Sequence, residues 1–181
     1  QHGETAIFQY VGGKLQIYHD RSYQVMTNSP TFDKQLALND YWVEIGGLTM
    51  LPGTNRSADR FARASFYIKT LPKTDQANEA VAGVMSVMRN VSVPMGISTP
   101  DQPNISTTLW RSVADQQHRR YFFELTHLPN TFWVSMDKLD LAAGAPVRKL
   151  PLTEQQLYAG ETAEKFVPAK AFRFLPASPK A

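Results

Sequence analysis

Polar and apolar residues alternate over residues 4–10 (ETAIFQY) and again over 14–19 (KLQIYH), with Val-Gly-Gly between them. Period-two alternation around a glycine turn predicts a half-buried β-hairpin. Residues 23–27 (YQVMT) read as a short third strand. It stops at Asn-Ser-Pro, because Pro30 has no N–H to give to a ladder. The period then lengthens. Leu36, Leu38 and Trp42 predict a helix over 33–45, ending at Gly46-Gly47. After a loop turning at Pro52-Gly53, Ser57 is the expected N-cap of a second helix running to about Leu71. Phe61, Ala64, Ile68 and Leu71 lie on one of its faces. A third helix is predicted over 75–88, with Val81, Val84, Met85 and Met88 as its packing stripe.

The pattern changes at Asn104. ISTTLWRSVAD, RRYFFEL and TFWVSMD are rich in β-branched and aromatic residues, and residues 115–118 fit a hairpin loop. Three antiparallel strands are expected here. A tail of low order, rich in Ala, Gly and Pro, is expected to follow Leu141 and dock along the surface. The order of strands, helices and strands predicts an α+β domain, a helical layer on antiparallel sheet, rather than alternating βαβ units. The 181 residues fit one domain.

Composition narrows the chemistry. The net charge is a modest +3 and the basic residues are scattered, so nucleic-acid binding is not expected. No run approaches the ~18 apolar residues of a membrane span, and the first residues lack a signal-peptide layout. There is no cysteine, so the chain itself carries no disulfide, thiolate ligand or thiol nucleophile. His2, His19, His118 and His127 are dispersed, and neither a metal nor a cofactor is expected. PMGIS and VGGKL read as glycine turns. The Asn-x-Ser triplets at Asn55, Asn90 and Asn104 read as chance matches to a glycosylation acceptor.

Two residues have open readings. Asn28, at the end of the third strand, either bonds its own backbone in an Asx turn or presents an amide donor to an oxyanion. Arg56, Arg60 and Arg63 are spaced to fall on one side of the second helix. Arg60 lies in its first turn, where the helix dipole disfavours a cation. It either pairs with Asp59 or another carboxylate, or stands at the mouth of a site.

VMTNSPTFDKQL, GGLTMLPGTNRSADRFARASFY, NVSVPMGIS and TTLWRSVADQQHRRYFFE resemble the choloylglycine hydrolase family, which includes penicillin V acylases and bile salt hydrolases. The resemblance covers essentially the whole chain. It is closest to the Gram-negative penicillin V acylases that also cleave N-acyl homoserine lactones. It implies a four-layer αββα sandwich of the N-terminal-nucleophile hydrolase type. In that family a mature N-terminal cysteine attacks a linear amide, and its own α-amino group acts as base.

Carried over by motif, the oxyanion-hole asparagine is Asn28, and the arginine beside the nucleophile is Arg60 within DRFAR. Asp59 stands where the motif commonly has serine. The resemblance further implies that residues 1–181 form the C-terminal portion of one domain. The nucleophile, an Arg and an Asp beside it and a second oxyanion asparagine would then come from the N-terminal half. Alone, the chain is expected neither to complete the sandwich nor to catalyse, since its sheets would keep exposed edges. An N-acyl amide substrate, a homotetramer and a periplasmic location are also implied. Bile salt hydrolysis and a non-catalytic module are the rival expectations.

Overall fold

The computed structural model describes residues 4–96, 100–101, 107–153 and 156–174. His2, the Asn104 triplet, the first two residues of the expected strand at 105–115 and the end of PMGIS lie outside these. The chain forms two compact units, Gln1–Thr108 and Leu109–Ala181.

In the first unit, β1 (Ala6–Val11) and β2 (Lys14–His19) form the predicted antiparallel hairpin, with Phe8 opposite Ile17 and Tyr10 opposite Leu15. Gly12 and Gly13 both take positive φ, 56° and 76°, at the turn. The hairpin's two faces have different fates. Ile7 is buried against Phe32 and Phe61, with Tyr18, Tyr23, Val25 and Leu36 packed around them. Phe32 is the hub of this core. Its ring meets Tyr18, Tyr23 and Phe61 edge-on at centroid distances of 4.9, 5.0 and 6.1 Å. On the opposite face, Phe8, Tyr10, Leu15 and Ile17 remain 46–75% exposed.

Residues 23–27 do not form the third strand expected of them. Their side chains alternate, with Tyr23 and Val25 turned to the core, but no strand among the described residues pairs with them. Three helices follow: α1 (Phe32–Glu44), α2 (Ser57–Thr70) and α3 (Ala77–Asn90), with α2 contacting both others. Helix α1 ends as predicted, at Ile45 and then Gly46, whose φ of 94° suits a residue without Cβ. The packing stripes differ in detail from the sequence reading. Leu38 is exposed, and Gln35 is buried in its stead, one turn on from Phe32. In α3, Val87 is buried and Met88 is exposed.

The second unit holds a sheet ordered β3-β4-β5-β7: β3 (Trp110–Asp115), β4 (Arg120–Leu125), β5 (Thr131–Ser135) and, parallel to β5, β7 (Gly160–Glu161). The tail has more order than expected. It supplies β7, and β6 (Arg148–Lys149) pairs with β8 (Val167–Pro168). Glu124, buried on β4, is held by Arg111 Nη1 at 3.2 Å and by the Thr131 hydroxyl. At the β3–β4 turn, Asp115 accepts from Arg120 Nη2 at 2.9 Å and from the His118 N–H at 3.0 Å. Burial raises the Asp115 carboxyl, but these hydrogen bonds outweigh it and leave it below the ordinary carboxylate value.

Replacing Phe32 by Ala should cost about 3–5 kcal/mol, read as a shift in the urea unfolding midpoint. A loss under about 1 kcal/mol would show that the aromatic hub is not what holds the first unit's core. A carboxyl depressed in the folded state contributes stability at neutral pH that is lost as pH falls through its folded-state value. Asp115→Asn should therefore be less stable than the parent at pH 7, with the gap closing below about pH 4. A gap unchanged down to about pH 2 would mean that charge is not its source.

Candidate functional site

The turn that carries Asn28 is held from the side by α1. The Gln35 side chain is fully buried, with a relative exposure of 0%. Its Nε2 donates to the carbonyl oxygens of Thr27 at 3.0 Å and Pro30 at 2.6 Å. Its Oε1 accepts from the Thr27 N–H at 3.2 Å and lies 2.9 Å from the Thr27 hydroxyl. That hydroxyl is equally close, 2.9 Å, to the carbonyl oxygen of Ser57, the first residue of α2. One bridge thus joins the residue before Asn28 to the residue three before Arg60. At the N-terminus of α1, Thr31 takes the cap position, and the Phe32 N–H donates to Gln9 Oε1 on β1 at 3.0 Å.

Asn28 is exposed, and its side chain makes no hydrogen bond among the described residues. The Asx-turn reading therefore fails: the amide does not hold its own turn, because Gln35 holds it. The Ser29–Pro30 peptide is cis.

Arg60 is half-buried at the start of α2. Its Nε donates to the Asn55 carbonyl at 3.2 Å and its Nη2 to Ser57 Oγ at 3.1 Å. A guanidinium has five N–H donors, so most of its fork is unspent. No carboxylate pairs with it among the described residues, and Asp59 instead accepts from the Thr54 hydroxyl. Burial, and then the nearby Arg63 charge, lower the Arg60 pKa. Arginine nevertheless keeps its proton at any physiological pH.

The expected trio of cations does not form. Arg63 is buried, its Nη1 donating to Pro52 O at 2.7 Å and Thr54 O at 2.8 Å, while Arg56 is exposed. Ser57 is not the N-cap either. Arg56 takes that place with extended backbone, no side chain caps the helix, and the Ser57 hydroxyl receives Arg60 instead.

An apolar cleft of about 390 Å³ lies elsewhere. It opens between the end of α1, the following loop and α2, lined by Trp42, Val43, Leu48, Leu51 and Phe66, and neither Asn28 nor Arg60 borders it. Sequence reasoning passes over Gln35 and Thr27, and it places Arg63 beside Arg60 without its buried bonds to Pro52 and Thr54. Gln35 leaves one signal: a polar residue three on from Phe32, at the spacing of a buried helical face.

Known proteins resemble this chain along most of its length. Residues 1–149 match the profile of the linear amide C–N hydrolases, choloylglycine hydrolase family. A penicillin V acylase of Pectobacterium atrosepticum is 47% identical over 187 residues, covering 95% of this chain and 50% of its own length. The structure of a penicillin V acylase from Agrobacterium tumefaciens superposes with a TM-score of 0.89 at 55% identity, covering 97% of this chain and 56% of that one. A mutant of the conjugated bile acid hydrolase from Clostridium perfringens shares the fold, with a TM-score of 0.62 at 21% identity over 77% of this chain and 48% of that one. The chain spans about half the length of the relatives it matches, and its mixed α/β fold is theirs. On the profile and these identities together, it belongs to the choloylglycine hydrolase family of linear amide C–N hydrolases.

Proposed function

We propose that this chain supplies one wall of the active site of a cysteine-dependent acylase, with Asn28 as an oxyanion donor and Arg60 as the cation beside the nucleophile. The observation that carries the reading is the pairing of two unspent groups at one locus. The Asn28 amide and most of the Arg60 fork have no partner among the described residues, and the Thr27–Ser57 contact links the residue before Asn28 to the start of the helix that carries Arg60. A free amide and an unneutralised guanidinium suit an oxyanion and a thiolate.

The remaining parts belong to the N-terminal half of the same enzyme, as the family resemblance implies. Its cysteine thiolate attacks the amide carbonyl carbon, and the Asn28 N–H₂ donates to the oxygen as it gains charge. The C–N bond then breaks, and the amine leaves with a proton delivered by the α-amino group. Water hydrolyses the thioester, releasing the carboxylic acid and restoring the thiol. The exposed apolar face of the β1–β2 hairpin supports the same reading, because a second apolar sheet laid on it would build an αββα sandwich. The substrate class is an N-acyl amide of the penicillin V or N-acyl homoserine lactone type. The two relatives near 50% identity, both penicillin V acylases, favour this over bile salts. A periplasmic homotetramer completes the proposal, on the family resemblance.

In the complete enzyme, Asn28→Ala should lower kcat for penicillin V by about 10²–10³-fold. A loss below about fivefold would remove the oxyanion role. Arg60→Lys keeps the charge but not the planar fork, and should lower kcat/KM by at least about tenfold. Near-normal kinetics for that variant would mean that charge alone suffices.

A further inference from the structure

We propose that Gln35 is the positioning residue for Asn28: a buried amide on α1 that fixes the 27–30 turn from both sides and so sets where the Asn28 amide points. The inference rests on the oxyanion reading of Asn28 and extends it to a residue that touches no substrate.

Burying an amide is costly unless its donors and acceptor are all satisfied. At a core position of α1, with Phe32 on the preceding turn and Leu36 beside it, an aliphatic side chain would carry no such demand. Gln35 meets the demand in one way only. Its side-chain bonds go to Thr27 and Pro30, the residues on either side of Asn28-Ser29. Two residues between two anchors leave the turn little freedom.

The arrangement is needed because the Asn28 side chain has no anchor of its own among the described residues. That side chain forms no Asx bond, and residues 23–27 have no strand partner to set their register. The same clamp orients the Thr27 hydroxyl, which lies within hydrogen-bonding distance of both Gln35 Oε1 and Ser57 O. Its single proton serves one acceptor at a time, so Gln35 Oε1 and Ser57 O share it, while the Thr27 N–H stays with Gln35.

The test compares Gln35→Met, Asn28→Ala and the double variant in the complete enzyme, with penicillin V as substrate. Met keeps the length and volume of the side chain and removes its hydrogen bonds. A misplaced donor costs transition-state stabilisation, so kcat of Q35M should fall about 10–100-fold with KM changed by less than about threefold. With Asn28 already gone there is nothing left to position, so the double variant should lie within about threefold of N28A. Amide exchange in a peptide spanning 24–31 should accelerate at least about tenfold in Q35M, because the Thr27 N–H loses its acceptor.

A parent-like kcat for Q35M beside a crippled N28A overturns the role of Gln35 and leaves the oxyanion reading standing. So does a full second loss on top of N28A, which would mark a general structural effect. An N28A variant within about fivefold of the parent removes both ideas together. Should Q35M fail to fold, Gln35→Asn decides. It keeps a buried amide but shortens its reach, and it should show the same fall in kcat and the same silence in the N28A background. A parent-like Q35N overturns the proposal.

Discussion

The amide of Gln35 is the interaction on which the geometry of the first unit's candidate site hangs. A segment such as 23–27 would ordinarily satisfy its backbone in a ladder. Here Tyr23 and Val25 pack on Phe32 while no strand among the described residues pairs with them, so the polar groups at the segment's end must be met by something else. Gln35 meets them at Thr27 and Pro30 from within the core. Thr27 then meets Ser57, so the entry to α1 and the entry to α2 are set by one connected group of bonds rather than by two independent caps. Neither helix has a side-chain cap of its own, which fits a design in which tertiary contacts fix the helix starts.

Much of the secondary structure is legible in the sequence because its signals are local. The hairpin's alternation, the Gly46 stop and the aromatic strands of the second unit depend on residues close in sequence. The misses in the first unit share one cause, the reach of tertiary contacts. Residues 23–27 carry strand periodicity, but a ladder needs a partner, and none is written in the segment itself. Leu38 reads as core because it is apolar, yet the buried face of α1 passes through Gln35, and only the distant turn at 27–30 makes a glutamine welcome there. The tail after Leu141 lacks periodicity because β6, β7 and β8 are two-residue strands, too short for any pattern to register. At the site, motif resemblance points to Asn28 and Arg60. It does not reveal that the amide is free or that Asp59 is diverted, because both depend on geometry.

The hairpin carries a second demand. Ile7 and Tyr18 face the Phe32 core, while the cross-strand pairs Phe8–Ile17 and Tyr10–Leu15 form an apolar surface on the other side. A two-stranded ribbon with apolar side chains exposed on one face and Ile7 and Tyr18 packed into a core on the other has a use for a layer on each side. Helices provide one layer in this chain. The proposed sandwich provides the other, and the same sheet that covers the hairpin would bring the catalytic cysteine, so closure of the fold and completion of the site become one event.

Arg60 shows how strongly that completion is called for. Three effects act against its charge: partial burial, the neighbouring Arg63 and the positive end of α2. A carboxylate at 4 Å would be worth about 4 kcal/mol at an effective dielectric of 20, and Asp59 sits one residue away. Yet Asp59 bonds Thr54, and among the described residues Arg60 is held only by neutral oxygens, the carbonyl of Asn55 and the hydroxyl of Ser57. Neutral partners fix the direction of a guanidinium without cancelling its field. An arginine neutralised by Asp59 would offer an arriving anion little, whereas one oriented by neutral oxygens keeps its attraction whole. In the proposed enzyme, that attraction falls on the thiolate and on the charge that develops during attack, so the cost of leaving Arg60 without a carboxylate among the described residues is offset where the chemistry occurs.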